Sequence, residues 1–270
     1  MNWNASSDSG IGHGWETKGN LYDGLGNGLP PSDKGQGEYD DYDQWFQTVM
    51  PGKDPMATGL DWNTWHGKPY VYPEYYHPTA WLGRQGVAHL ESFAREQQEA
   101  HLAGQEASPF FLKWSAHRPH SPYDPPARLL NASYARDTFP KIRLCAPDGK
   151  TSDPTCWDDR FYGGDGHPEG CGPTTDAWCG HMPENETVVS RHAYYASLEF
   201  VDEQVGSILD TLEKTGLINN TFVLWTADHG DGQGTHNHWR KGYPYEFSAH
   251  VPLMVRWPDD ENLVGGAGSA

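Results

Sequence analysis

Apolar side chains step by threes and fours through Tyr194, Leu198, Val201, Val205, Ile208 and Leu212, and Gly216 follows Lys214 as a stop. An α-helix returns to the same face about every 3.6 residues, so this spacing predicts a helix over 190–215 with one buried stripe. A second, solvent-facing helix is predicted over 78–104, with Pro78 in its first turn and Trp81, Leu82, Val87, Leu90, Phe93 and Ala94 as its stripe. Three short β-branched or aromatic runs, 110–116, 221–226 and 251–256, read as strands. Residues 1–71 are rich in Gly, Asp, Trp and Tyr and show neither period, which predicts loops with short elements. The alternation gives an α/β fold with helices on both faces of the sheet, those three strands central and their loop ends convergent.

Polar chemistry gathers where two of these strands end. The 221–226 run leads into Asp228, His229, Gly230 and Asp231, with His236, His238 and Lys241 close behind. Loops leaving strand ends are free of the ladder and can aim side chains at one point. A carboxylate beside an imidazole, followed by basic groups, suits a divalent cation next to an anionic substrate. The 110–116 run delivers His117-Arg118-Pro119-His120-Ser121-Pro122, a loop stiffened by its prolines. Of its two imidazoles, His117 reads as structural and His120 as a site residue.

Charge and cysteines narrow the setting. A net charge of −18 over 270 residues argues against nucleic acid or an anionic membrane surface as partner. It leaves room for an anionic substrate at a locally basic site, since exposed charges beyond about 10 Å are largely screened. No apolar run approaches the roughly 20 residues of a membrane-spanning helix. Cys145, Cys156, Cys171 and Cys179 lie in one Gly/Pro/Asp-rich stretch without paired zinc-ligand spacing. They are expected to form two local disulfides pinning an insertion over 145–187. Sequons at Asn4, Asn131, Asn185 and Asn219 agree with an oxidising, secreted or lumenal compartment. The chain opens without a signal-peptide pattern, and its Gly-rich end, 259–270, reads as a flexible tail.

Taken together, these motifs resemble the sulfatase family of the alkaline phosphatase superfamily. The residues concerned are Thr226 to Asp231 against (S/T)-D-H-G-D, Gly234 to Glu246 against G-x-H-x-x-W-x-K-G-x-x-Y-E, Val251 to Val255 against a V-P-L strand, and His117 to Pro122 against H-x-P-H-x-P. The helix before Asp228 resembles the family's Y-Y-A-S-x-E-x-V-D-E-Q-V-G, with Asp202 and Glu203 on a solvated face. Gly14 to Asn20 resembles G-(F/Y)-x-T-x-x-x-G-K-x-H, which places Lys18 as a sulfate-gripping lysine, although no histidine follows at the family's spacing.

The resemblance implies an alkaline phosphatase-like sheet between helices and hydrolysis of a sulfate ester by a formylglycine nucleophile. It implies a divalent cation, usually Ca2+, at Asp228 and His229. It places His120 and Lys241 on the sulfate and His236 as a helper, with a sulfated small molecule or glycan as partner. The family's paired aspartates and its C/S-x-P/A-x-R segment have no match here; Cys145-Ala146-Pro147-Asp148-Gly149 has glycine where arginine is required. Residues 1–258 are therefore expected to form a partial catalytic domain, inactive by itself. Hydrolysis of phosphate esters and inactive binding of sulfated glycans are the alternatives.

Overall fold

The computed structural model describes residues 41–55, 57–60, 64–136, 183–241 and 244–258. Lys18, the four cysteines, the sequon at Asn4 and the 259–270 tail lie outside them.

Helix α1 (Asp41–Val49) is one of the short elements expected within residues 1–71. It buries Tyr42 and Phe46 completely, four residues apart on one face, against Trp81 and Leu82 of α2 (Pro78–Leu102). His77 caps α2: its Nδ1 accepts from Thr79 N at 3.1 Å, satisfying a donor that the first turn would otherwise leave unpaired. The first turns of α2, from Pro78 to Gly83, are buried all round, so the helix enters the interior where one buried stripe was expected. At Gly86 an added Cβ would stand 3.0 Å from both Ile208 Cδ1 and Trp114 Cδ1. A glycine there lets the neighbouring helix close in.

That neighbour is α4 (Glu184–Thr215), which packs on both α2 and α3 (Ala127–Arg136). It stops at Gly216, whose φ of 75° is the left-handed geometry glycine adopts at little cost. The helix starts six residues before the expected position and inside the stretch assigned to the insertion. The apolar stripe explains the difference. Ala193, Ala196 and Phe200 are buried deepest, with Thr187, Ser190 and Ser197, while Tyr194 and Leu198 are only half-buried. Small and hydroxylated residues face the core because the helices approach closely. Ser133 and Thr187, each the third residue of a sequon, are buried, and Ser133 Oγ lies 2.8 Å from His192 Nδ1. Glu203 pairs with Arg128 on the surface, as a solvated face should.

Among the described residues the strands are β1 (Val223–Thr226) and β2 (Leu253–Arg256), paired antiparallel with Thr226 opposite Leu253. Only the C-terminal end of β1 therefore feeds the Asp228 loop; β2 presents its N-terminal end there, contrary to the expected convergence. The third expected strand, 110–116, has no strand partner among the described residues. It is held instead by side chains: Phe110 stacks on Phe93 at 4.9 Å, and Trp114 Nε1 donates to Leu82 O at 3.0 Å. A helical layer beside a small sheet remains an α/β arrangement. Short helix α5 (Glu246–Ala249) lies between the Asp228 loop and β2.

Candidate functional site

Two loops make the site, and a buried carboxylate joins them. Tyr123, fully buried just after the His117–Pro122 loop, donates its hydroxyl to Asp231 Oδ2 at 3.1 Å. The other oxygen of Asp231 accepts from Gln233 N at 3.1 Å, Gln233 Nε2 at 2.8 Å and Arg240 N at 3.0 Å. Burial raises the Asp231 carboxyl above its usual range, against these stabilising hydrogen bonds. Between Gln233 and Arg240 the chain turns back on itself, with Gly232 N on Arg240 O and Gly234 N on His238 O, both at 2.8 Å. Gly230 is pinned by Ser248 O at 3.0 Å and presses against the Phe247 carbonyl.

This fold-back places Lys241 against His120. Lys241 Nζ lies 2.7 Å from His120 Nε2, while His120 Nδ1 lies 2.9 Å from Ser121 O. A carbonyl only accepts, so Nδ1 carries the proton and Nε2 offers its lone pair to the ammonium. Burial, with the nearby charges of Lys241 and Arg118, pushes His120 down to about 4. Burial also lowers Lys241, with Asp231 and Asp228 opposing that shift. The His117 ring sits 4.8 Å from that of His120, and burial followed by Arg118, His120 and Lys241 lowers its pKa well below the ordinary value. His117 thus stands at the same point as the other two.

Asp228 is exposed. Its Oδ1 accepts from His229 N at 3.0 Å, and its Oδ2 lies 3.6 Å from His229 Nε2. His229 Nδ1 points at Gly230 O from 2.8 Å and so carries a proton, which turns Nε2 towards the carboxylate. Two electron-pair donors side by side suit one edge of a cation site. Calcium takes six or more oxygens. Among the described residues no group of three or more His, Cys, Asp or Glu side chains is placed to hold a metal, so Asp228 and His229 supply only part of the oxygen-rich shell that calcium takes.

His236 lies on the turn between Gln233 and Arg240. Its backbone is left-handed at φ 52°, and its ring stacks on Tyr245 at 5.1 Å. His238 is buried, its Nδ1 2.6 Å from His236 O. Sequence reasoning missed three members of the arrangement: Tyr123, Asp231 as a joint, and Arg118 with its buried partner Asp124. The signal for the last was present as an Arg and an Asp in one proline-rich loop, a pair too polar to be buried separately.

The sulfatase family model matches residues 41–262. An arylsulfatase of Clostridium perfringens is 33% identical over 228 residues, covering 84% of this chain and 41% of its own length. A choline-sulfatase of Rhizobium meliloti is 44% identical over 69 residues, 26% of this chain and 14% of the relative. The chain thus spans less than half the length of these relatives. Among solved structures, the phosphonate monoester hydrolase of Silicibacter pomeroyi superposes with a TM-score of 0.53 at 22% identity, covering 80% of this chain and 41% of that one. That likeness concerns the fold. Among the described residues no helix is long and apolar enough to cross a membrane.

Proposed function

Since this chain belongs to the sulfatase family, we propose that it forms the anion-holding part of an enzyme that hydrolyses sulfate esters. The observation that carries the reading is the contact between Lys241 Nζ and His120 Nε2, 2.7 Å across two separate loops. An ammonium beside a neutral imidazole is a ready receptor for a tetrahedral anion. Lys241 turns its N–H groups from the His120 lone pair to a sulfate oxygen, and His120 is released to take up a proton. Its low pKa in the protein alone rises once a negative charge sits beside it. Protonated, it donates through Nε2 to the anion or to the leaving oxygen, where charge develops as the ester breaks.

Asp228 and His229 are assigned to the cation side of this site, with Lys18 as a further sulfate-gripping lysine and His236 as a helper. Members of the family generally use a divalent cation, which Asp228 and His229 would help to hold. A formylglycine nucleophile and calcium belong to the proposal, as do a sulfated small molecule or glycan as substrate and a secreted or lumenal setting. The same two groups would also hold a phosphate or phosphonate monoester, which keeps that chemistry as the second reading.

The test compares aryl sulfate, aryl phosphate and phosphonate ester turnover by the longest natural form of the protein, with Lys241→Ala and His120→Ala variants. Losing one electrostatic partner of a transition state costs on the order of 10²- to 10³-fold in kcat. Sulfate-ester turnover falling by that order in both variants supports the proposal. A preference for the phosphate ester moves the second reading forward, and binding of inorganic sulfate without turnover of any ester leaves a sulfated-glycan binder.

A further inference from the structure

Arg118 is 2% exposed and makes contacts on two sides. Its Nε donates to Asp124 Oδ1 at 2.8 Å, with Nη2 2.8 Å from the same oxygen. Its Nη1 lies 2.9 Å from His117 Nδ1. Asp124 is fully buried, and His77, 1% exposed, holds Nε2 3.6 Å from its Oδ1 while Nδ1 caps α2. These side chains form one buried line from the N-terminus of α2 to the His117 ring.

A guanidinium carries donors only and keeps its charge at any ordinary pH. The nitrogen it faces must therefore be a lone pair, which leaves the single proton of neutral His117 on Nε2. The neighbouring ring of His120 has the opposite arrangement, with its proton on Nδ1 and its lone pair on Nε2. Two adjacent imidazoles, 4.8 Å apart, are thus held in opposite tautomers, one by a guanidinium and one by a carbonyl. We infer that Arg118 is a positioning residue that fixes His117 as a neutral Nε2–H donor, so that His117 joins Lys241 and His120 in holding the anion.

The inference rests on the anion-holding reading above. It adds a third group to that site and a reason for burying an ion pair behind it. A buried Arg–Asp pair is costly to desolvate and is poor evidence of added stability. Its value here is direction: Asp124 fixes the plane of the guanidinium, and the plane fixes which nitrogen of His117 is protonated. Lysine cannot reproduce this, because one ammonium lacks the fork that reaches Asp124 and His117 together.

The experiment is nitrogen-15 NMR of the histidine rings in the 270-residue chain, as wild type and as Arg118→Lys, alongside calorimetric titration with inorganic sulfate. In the wild type, His117 should show a protonated Nε2 and a bare Nδ1 from pH 8 to pH 6. In Arg118→Lys that signature should give way to mixed tautomers or a protonated ring, with sulfate bound roughly tenfold more weakly, the loss of about one charge-assisted hydrogen bond. A proton on Nδ1 of wild-type His117 overturns the inference even if the variant does not fold. An unchanged tautomer in a folded Arg118→Lys, or a changed tautomer with unchanged sulfate affinity, overturns it as well. If wild type binds no sulfate, the anion-holding reading and the added role of His117 fall together, while the ring spectrum still decides whether Arg118 sets the tautomer.

Discussion

Nζ of Lys241 sits 2.7 Å from Nε2 of His120 although 121 residues separate them in the chain. Such a contact between a full positive charge and an imidazole fixes the imidazole as acceptor and resists its protonation. Replacing Lys241 by methionine keeps much of the volume and removes the charge. The pKa of His120, held at about 4, should then rise, though burial, the larger cause, keeps it below the ordinary value. A pH titration of the His120 ring by NMR reads this directly. No movement in Lys241→Met would show that the two groups do not meet in solution.

Asp231 accepts from Tyr123, Gln233 and Arg240, residues that belong to both loops of the site. Asp231→Ala would leave several buried donors without an acceptor, at about 1–3 kcal/mol for each group that finds no water. Tyr123→Phe removes one donor and should cost about 1 kcal/mol. Because the two share one network, the double variant should be less destabilised than the sum of the singles, with a coupling of about 0.5–3 kcal/mol. Urea denaturation of the four proteins measures it. Strict additivity would mean that the Tyr123–Asp231 bond does not join the loops.

How much of this was legible in the chain follows from what each element depends on. The core of α4 and β1 were readable because their periodicity is local, and the Asp228 and His117 loops because rare residue types crowd together in them. The start of α4 was not, since Thr187 and Ser190 look solvent-facing and are buried against close neighbours. The run over 110–116 has strand composition, but a strand exists only with a partner, and composition does not supply one. A single imidazole in a proline-stiffened loop reads as structural, and nothing local shows that Arg118 beside it reaches inward to Asp124. Tyr123 and Asp231 are 108 residues apart, and nothing local announces their bond.

Two glycines should respond in opposite directions. A Cβ on Gly230 would overlap the carbonyl oxygen of Phe247, which belongs to α5 and cannot swing aside as a side-chain end would. Gly230→Ala should therefore cost about 2 kcal/mol or more through overpacking. Gly206 lies exposed inside α4 with nothing near its Cβ position. Gly206→Ala should stabilise by about 0.5–1 kcal/mol, as alanine restricts the unfolded chain and favours the helix. Thermal or urea unfolding of both variants checks the pair. An alanine tolerated at Gly230 would show that α5 is free to move off the loop.

The depressed histidines fix how stability depends on pH. In the unfolded chain His120 titrates near its ordinary value of 6.5, and in the folded protein at about 4. Between these values the unfolded state binds the proton and the folded state excludes it, so acid favours unfolding. Stability is full above about pH 6.5 and falls as pH drops towards 4. At pH 4.5 the share of His120 is about 2–3 kcal/mol, from roughly 1.4 kcal/mol per pH unit across that window. His117 and His77 are lowered too and act in the same direction, the first through burial and then Arg118, the second through burial against the opposing pull of Asp124. Carboxylates titrate over part of the same range, so the comparison must be internal. Denaturation of wild type and His120→Gln at pH 7 and pH 4.5 should show a loss on acidification smaller in the variant by about 2 kcal/mol. Bound sulfate should reverse the sign of this coupling, because an anion beside His120 favours its protonated form; sulfate should bind more tightly at pH 5 than at pH 8. Equal losses in the two proteins, with sulfate affinity indifferent to pH, would remove His120 from the anion site.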